Sequence, residues 1–314
     1  MIVTMIEKVY TFLWGDLIRI PLPGGSTLGI SLLILLLIPT GIYFTIRTKL
    51  LPIRLFPDMV RALSEKKSDK NNLSAFQTLI VSTATRVGMG NLVGVVAAIS
   101  AGGAGAVFWM WITALIGSST AFIEATLAQL YKEKDPLYGG YRGGPAYYIH
   151  RYWEEKQGRK RKKVLLSVLF AISGLICWCG ISQVISNSVT SAFHNAFHIP
   201  PIYTTVVLVA LAAVIIFRKT ATVKVLDVLV PIMAGCYFLI TVILICMNFS
   251  ALPGVFSRIF EEAFGIRQAV AGGLGTVVMN GVKRGLFSNE AGSGSAPCAA
   301  AAAESDQPVK LGLT

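Results

Sequence analysis

Residues 74–101, SAFQTLIVSTATRVGMGNLVGVVAAISA, decide how the rest of the chain is read. The stretch is long enough to cross a bilayer, for which about 20 mostly apolar residues suffice. Its middle is poorly built for a helix. Gly88 and Gly90 flank Met89, Asn91 follows, and Thr83, Thr85 and Arg86 come just before. Each glycine costs about 1 kcal/mol of helix propensity relative to alanine. A helix broken in lipid leaves backbone groups without partners, so a break is stable only against protein or a polar cavity. The other reading of paired glycines in an apolar segment is close helix–helix contact. Polar neighbours here, and a second glycine-interrupted segment near 271–275, favour a break that binds something.

Hydrophobic residues make up 54% of the 314 and charged residues 14%, against about 25% charged in soluble domains. The composition is that of an all-α integral membrane protein. A net charge of +12 suggests a nucleic-acid partner until position is considered. Most of the 28 Lys and Arg fall in 47–72, 131–163, 218–224 and 283–314, whereas 187–199 and 248–268 carry almost none. That asymmetry is the positive-inside pattern. It places loops 47–72 and 131–163 in the cytoplasm and the N-terminus outside, and no nucleic-acid partner is expected. Cys177, Cys179, Cys236, Cys246 and Cys298 lie in apolar segments and read as small buried side chains; the spacing of Cys177 and Cys179 is not that of a zinc site.

Residues 1–27 read as an interfacial amphipathic segment anchored by Tyr10 and Trp14, ending in a turn at Gly24-Gly25-Ser26. An extra first span follows at 28–46. Further spans are expected at 74–101, 106–130, 164–186, 202–217, 225–247 and 268–282, with a short external helix at 257–264. Glu124, inside the third span, is either functional or a hydrogen-bonded structural carboxyl. Arg86 needs a partner at membrane depth, and Glu124 is the first choice, with Glu290 the second. The run Arg159-Lys160-Arg161-Lys162-Lys163 reads as a topology signal beside anionic headgroups.

The two interrupted segments cross in opposite directions. Interrupted segments at matching places in two inverted halves point to the binding site of a secondary transporter. Amides of one half-helix can hold a carboxylate, and freed carbonyls can take Na⁺. Residues 74–247 form one five-helix repeat on this reading, and 268–314 open a second. The glycine spacing does not fit a dinucleotide fingerprint, and no His-Glu-x-x-His or Gly-x-Ser-x-Gly motif occurs, so no enzyme is expected. Nothing resembles a repeated pore loop.

The segments TRVGMGNLVGVVAAI, GAVFWMWITALIGSSTAFIEATLAQLYKEKD, RGGPAYYI and VKRGLFSNEAGSGSAP resemble those of the alanine/glycine:cation symporters, the sodium:alanine symporter family. The resemblance implies a leucine-transporter-type inverted-repeat fold of eleven spans. It also implies Na⁺- or H⁺-driven uptake of alanine or glycine through a prokaryotic plasma (inner) membrane, with no cofactor beyond the coupling ion. Residue by residue, it implies that Gly88, Met89 and Gly90 give amides to the substrate carboxylate and Asn91 a side-chain oxygen. Carbonyls of Ala84 and Val87, with Asn91, would line the Na⁺ position. Gly272, Gly273 and Leu274, with Met279 and Asn280, would receive the substrate's other side, and Gln183 or Asn187 would face the site. Arg86, Ser293 and Cys298 depart from the family pattern. About four more helices are implied beyond Thr314, so the second repeat is expected to be incomplete. The alternative function is then a truncated fragment that does not transport.

Overall fold

The computed structural model describes residues 2–21, 27–63, 89–136, 140–161, 163–217, 219–266, 273–290, 292–303 and 308–313. It is mostly helical. In chain order come α1 (Ile2–Trp14), β1 (Ile18–Pro21), β2 (Thr27–Ile30), α2 (Leu32–Arg47), α3 (Leu51–Arg54), α4 (Phe56–Leu63), α5 (Met89–Gly102) and α6 (Ala106–Leu130). Then follow β3 (Glu133–Lys134), β4 (Tyr141–Arg142), α7 (Pro145–Gln157), α8 (Leu165–Phe197), α9 (Pro201–Phe217), α10 (Lys219–Met247), α11 (Leu252–Ala263), α12 (Leu274–Asn289), α13 (Ser295–Ala302) and α14 (Pro308–Leu313). The chain divides into two compact units, one of 1–57, 93–123 and 242–292, the other of 58–92, 124–241 and 293–314.

In the first unit, β1 and β2 pair antiparallel with Ile18 opposite Ile30. This hairpin corrects the expectation that the first span begins at 28. Ser31 caps α2 instead, its Oγ accepting from the Ile34 amide at 3.4 Å. α2 packs on α6 through small and hydroxyl groups. A Cβ on Gly41 would stand 2.5 Å from Ile116, and buried Thr45 donates to Ser119 Oγ at 3.1 Å. Gly103, at φ 84°, ends α5 in the left-handed region that a tight turn needs. Next to it, Gly105 donates its amide to the buried carboxylate of Glu262 at 3.3 Å. Arg258 Nε donates to the same carboxylate at 2.6 Å. Phe108 lies against Phe260 and Phe264 at centroid distances of 5.6 and 5.1 Å, so α11 is fastened to the start of α6.

In the second unit the order centres on α13. Gln129, at the end of α6 and 3% exposed, donates to the carbonyls of Ala300 and Ala303. Lys132 Nζ donates to Ala303 O at 2.9 Å and to Gln129 Oε1 at 2.8 Å, and stands 4.3 Å from the Tyr141 ring centroid. Orphan carbonyls at a helix C-terminus need such donors, and a cation there also suits the helix dipole. Ala300, Ala303 and Leu311 form a small apolar core with Ala125.

Among the described residues two helices, Ala106–Leu130 and Leu165–Phe197, are long and apolar enough to cross a membrane; Ile232–Met247 with Phe249–Ala263, bent by 75°, makes a third if taken as one span. Leu32–Arg47, Asn91–Gly102 and Pro201–Ile215 are apolar but shorter. At 1.5 Å per residue, 12–16 residues reach about 18–24 Å, short of a hydrocarbon core about 30 Å thick. Residues 74–88, the first half of the expected second span, lie outside the described residues. The helix of the expected fourth span continues past 186 to Phe197, and that of the sixth is already helical at Lys219, ahead of 225. The expectation of buried cysteines is corrected too: Cys177, Cys179, Cys236 and Cys246 are exposed, and Cys298 is half-buried. The first four sit on α8 and α10, whose apolar side chains are mostly exposed.

Candidate functional site

Met89, Gly90 and Asn91 are helical in α5, and the residues just before Met89 lie outside the described residues. Asn91 is half-buried. Gly88, and with it Ala84, Arg86 and Val87, lies outside the described residues.

α12 begins at Leu274 with Gly273 as its N-cap in an extended conformation; Gly272 lies outside the described residues. Gly275 does not interrupt the helix. It lies inside the first turn, where a Cβ would collide with the Thr27 carbonyl of the hairpin. Lys283 and Arg284 are also helical, beyond the expected end of the span at 282. Lys283 Nζ pairs with Asp16 at 3.3 Å. Leu274, Met279 and Asn280 are half-buried, and Asn280 Nδ2 donates to Thr276 O at 2.9 Å.

Within the first unit, α5 and α12 run antiparallel. A Cβ on Gly94 would meet the Arg284 guanidinium at 2.8 Å, and one on Gly102 would meet Asn280 at 3.0 Å and Thr276 O at 3.4 Å. The start of α12 therefore lies beside the Gly102 end of α5. Leu274, Met279 and Asn280 are accordingly grouped on one helix near Gly102.

α12 and α6 run parallel and very close. A Cβ on Gly281 would stand 2.6 Å from Trp109 Cβ, and one on Gly285 would stand 2.8 Å from Thr113 Cβ. Asn289 Nδ2 reaches Thr113 O at 3.5 Å. A glycine every fourth residue lets two backbones approach in this way. Just beyond, Glu290, Gly292 and Gly294 have φ of 55°, 87° and 90°. Three left-handed residues within five end α12, and α13 starts only at Ser295. This interruption was not singled out from sequence, although the small-residue tract SNEAGSGSAP marks it.

Gln183 lies exposed in the middle of α8, and Asn187 is equally exposed. Glu124 is half-buried in the second unit, close enough to Tyr148 to act on it. Burial first, then the Glu124 charge, pushes the Tyr148 phenol well above its ordinary range. The partner expected for Glu124, Arg86, lies outside the described residues.

The profile of the sodium:alanine symporter family matches residues 24–314. The chain is similar to the probable sodium/glutamine symporter GlnT of Bacillus subtilis, with 45% identity over 287 residues, 90% of this chain and 58% of that protein. It is similar to the putative sodium/proton-dependent alanine carrier protein YrbD of the same organism, with 44% identity over 282 residues, 89% of this chain and 56% of that protein. Its identity to the sodium/alanine symporter AgcS of Methanococcus maripaludis is 34% over 316 residues, 99% of this chain and 65% of that protein. The chain thus spans a little over half the length of such relatives. They are transporters, not enzymes.

Proposed function

We propose that this chain, which belongs to the sodium:alanine symporter family, serves cation-coupled uptake of a small neutral amino acid across the plasma membrane. The observation that carries this reading is the match of residues 24–314 to the sodium:alanine symporter family, which takes in the glycine cluster at 88–91. A helix beginning in that cluster would offer amides of Met89, Gly90 and Asn91 to a carboxylate without any charged side chain. Gly88 would add an amide. Carbonyls of Ala84 and Val87, with the Asn91 side chain, would hold Na⁺, a hard cation that suits oxygen ligands. The antiparallel run of α5 against α12 supports an inverted-repeat architecture of the leucine-transporter type, with 74–247 as one repeat and 268–314 opening the other. The positive-inside pattern supports an external N-terminus and cytoplasmic loops at 47–72 and 131–163. Gly272, Gly273, Leu274, Met279 and Asn280 would serve the Gly102 end of the pathway, and Gln183 would line it from α8.

Alanine or glycine is the proposed substrate, because a cradle of glycine amides has room for little side chain. The resemblance to a protein named for glutamine makes that amino acid the competitor to include. The test is uptake of labelled alanine into proteoliposomes holding the whole protein, under an imposed inward Na⁺ or H⁺ gradient. Accumulation is expected only with a gradient, and glycine should compete better than glutamine. Uptake indifferent to both gradients would remove the coupling, and stronger competition by glutamine would reassign the substrate.

A further inference from the structure

α7 is rich in aromatic residues, with Tyr147, Tyr148, Tyr152 and Trp153 among its 13 residues. Such side chains gather at headgroup level in membrane proteins. The helix is fastened to the foot of α8, where Ser167 Oγ donates to Ala146 O at 2.6 Å. Gly158, at φ 59°, ends α7, and the basic run begins at once. Its backbone is held by Glu154. The Arg159 amide donates to the Glu154 carbonyl at 3.3 Å, and the Arg161 amide donates to Glu154 Oε1 at 3.0 Å.

The carboxylate of Glu154 is further occupied by Arg151 Nη1 at 3.2 Å and faces His150 Nε2 at 3.4 Å. The Arg161 amide first, then His150 and Arg151, hold the Glu154 carboxyl below the usual carboxylate range against the opposing effect of burial. The loop is thus organised through its main chain. The side chains of Arg159, Lys160, Arg161 and Lys163 remain exposed. Two residues later α8 starts with Leu165 and Leu166 exposed at 74% and 53%, the beginning of an apolar helix of membrane-crossing length.

A topology signal needs only charge. Here an aromatic helix, a carboxylate-pinned loop and an emerging apolar helix bring four cations to one level. We propose that the 158–163 loop binds the headgroup phosphates of anionic phospholipids in the cytoplasmic leaflet. The cations meet the phosphates, and the exposed leucines of α8 lie beside the acyl chains. The inference does not rest on the transport reading.

The test titrates the whole protein, in an uncharged detergent, with phosphatidylglycerol or phosphatidylcholine and counts bound lipid by intact-protein mass spectrometry. Each cation near an anionic surface contributes a factor of about five. Phosphatidylglycerol should therefore bind at least about tenfold more tightly at low salt, and the advantage should shrink in high salt. Equal binding of the two lipids, or an advantage that salt leaves intact, overturns the proposal without any variant.

R159Q/K160Q/R161Q/K163Q should lose nearly all of the preference, and R47Q/K49Q, on another basic connection, should keep it; the reverse pattern moves the site elsewhere. E154Q separates a built loop from diffuse attraction. It adds one positive charge yet loosens the loop, so weaker phosphatidylglycerol binding supports the site and tighter binding overturns it. Competition by soluble glycerol phosphate as strong as by the lipid would assign the loop to free phosphate esters and also overturn it.

Discussion

Gly281 and Gly285 on α12 and Gly174 and Gly180 on α8 share a residue type and a helical setting, and differ in everything around them. A Cβ on either of the first two would press into α6, whereas nothing stands within 4 Å of the place where a Cβ on Gly174 or Gly180 would go. The helices differ in the same sense: 28% of the most apolar stretch of α6 is buried and none of that of α8. Glycine in a membrane helix is therefore two residues under one letter. Along α12 its missing side chain is the contact, since apolar side chains gain nothing by leaving lipid for each other and close backbone approach has to hold the pair. Along α8 the same residue only weakens the helix.

The largest effect should come from filling the α6–α12 seam. Gly281→Ala places a methyl against Trp109 and the Ala106 backbone, and Gly285→Ala against Thr113 and Met110. Overpacking of this kind costs about 1–3 kcal/mol, more than the roughly 1 kcal/mol that alanine returns in helix propensity. Each variant should unfold at a clearly lower temperature in detergent than the unaltered protein. Unchanged midpoints would mean that the two helices separate easily and that the comparison has no energetic content.

A smaller loss is expected in the second unit, where polar groups at the end of α6 help to hold α13. Gln129→Leu keeps the volume and removes the donor to the Ala300 carbonyl, while Lys132 still serves Ala303. The Ala300 carbonyl keeps the Ala303 amide at 3.2 Å, so the loss should be that of one ordinary hydrogen bond, about 0.5–1.5 kcal/mol. Hydrogen exchange should rise in Ser295–Ala302 specifically. If exchange rises equally along α8, the two parts of that unit are not distinct.

Elements whose pattern is continuous could be read without a structure. α6 runs over the expected 106–130, and α9 differs from expectation by one residue at its start. α8 extends past the expected end at 186, where the polar residues Gln183, Ser186 and Asn187 look like a helix end. The hydroxyls of Ser186 and Thr190 are turned back into the helix: Ser186 Oγ donates to Ser182 O at 2.8 Å and Thr190 Oγ1 to Ser186 O at 2.9 Å. A local side-chain bond of this kind lets a polar residue sit in an apolar helix. The hairpin of Ile18–Pro21 and Thr27–Ile30 escaped because four-residue strands carry almost no periodicity. The interruption at 290–294 was hidden because glycine, serine and alanine are equally at home in close-packed helices.

The smallest expected effect tests the open side of the comparison. Gly174→Ala and Gly180→Ala add a methyl where nothing is met, so only the helix itself responds. Alanine restricts the unfolded chain and suits the helix better, a gain of up to about 1 kcal/mol per site. In lipid the gain is smaller to the extent that the chain stays helical when its tertiary contacts open. The unfolding midpoint in detergent should therefore stay level or rise slightly, in contrast to the fall at Gly281 and Gly285. A fall at Gly174 or Gly180 would carry more information than a rise. It would mean that a backbone or side chain approaches α8 closely in the whole protein, and that the rule separating the two sets of glycines is occupancy by a neighbour on α8 as well as on α12.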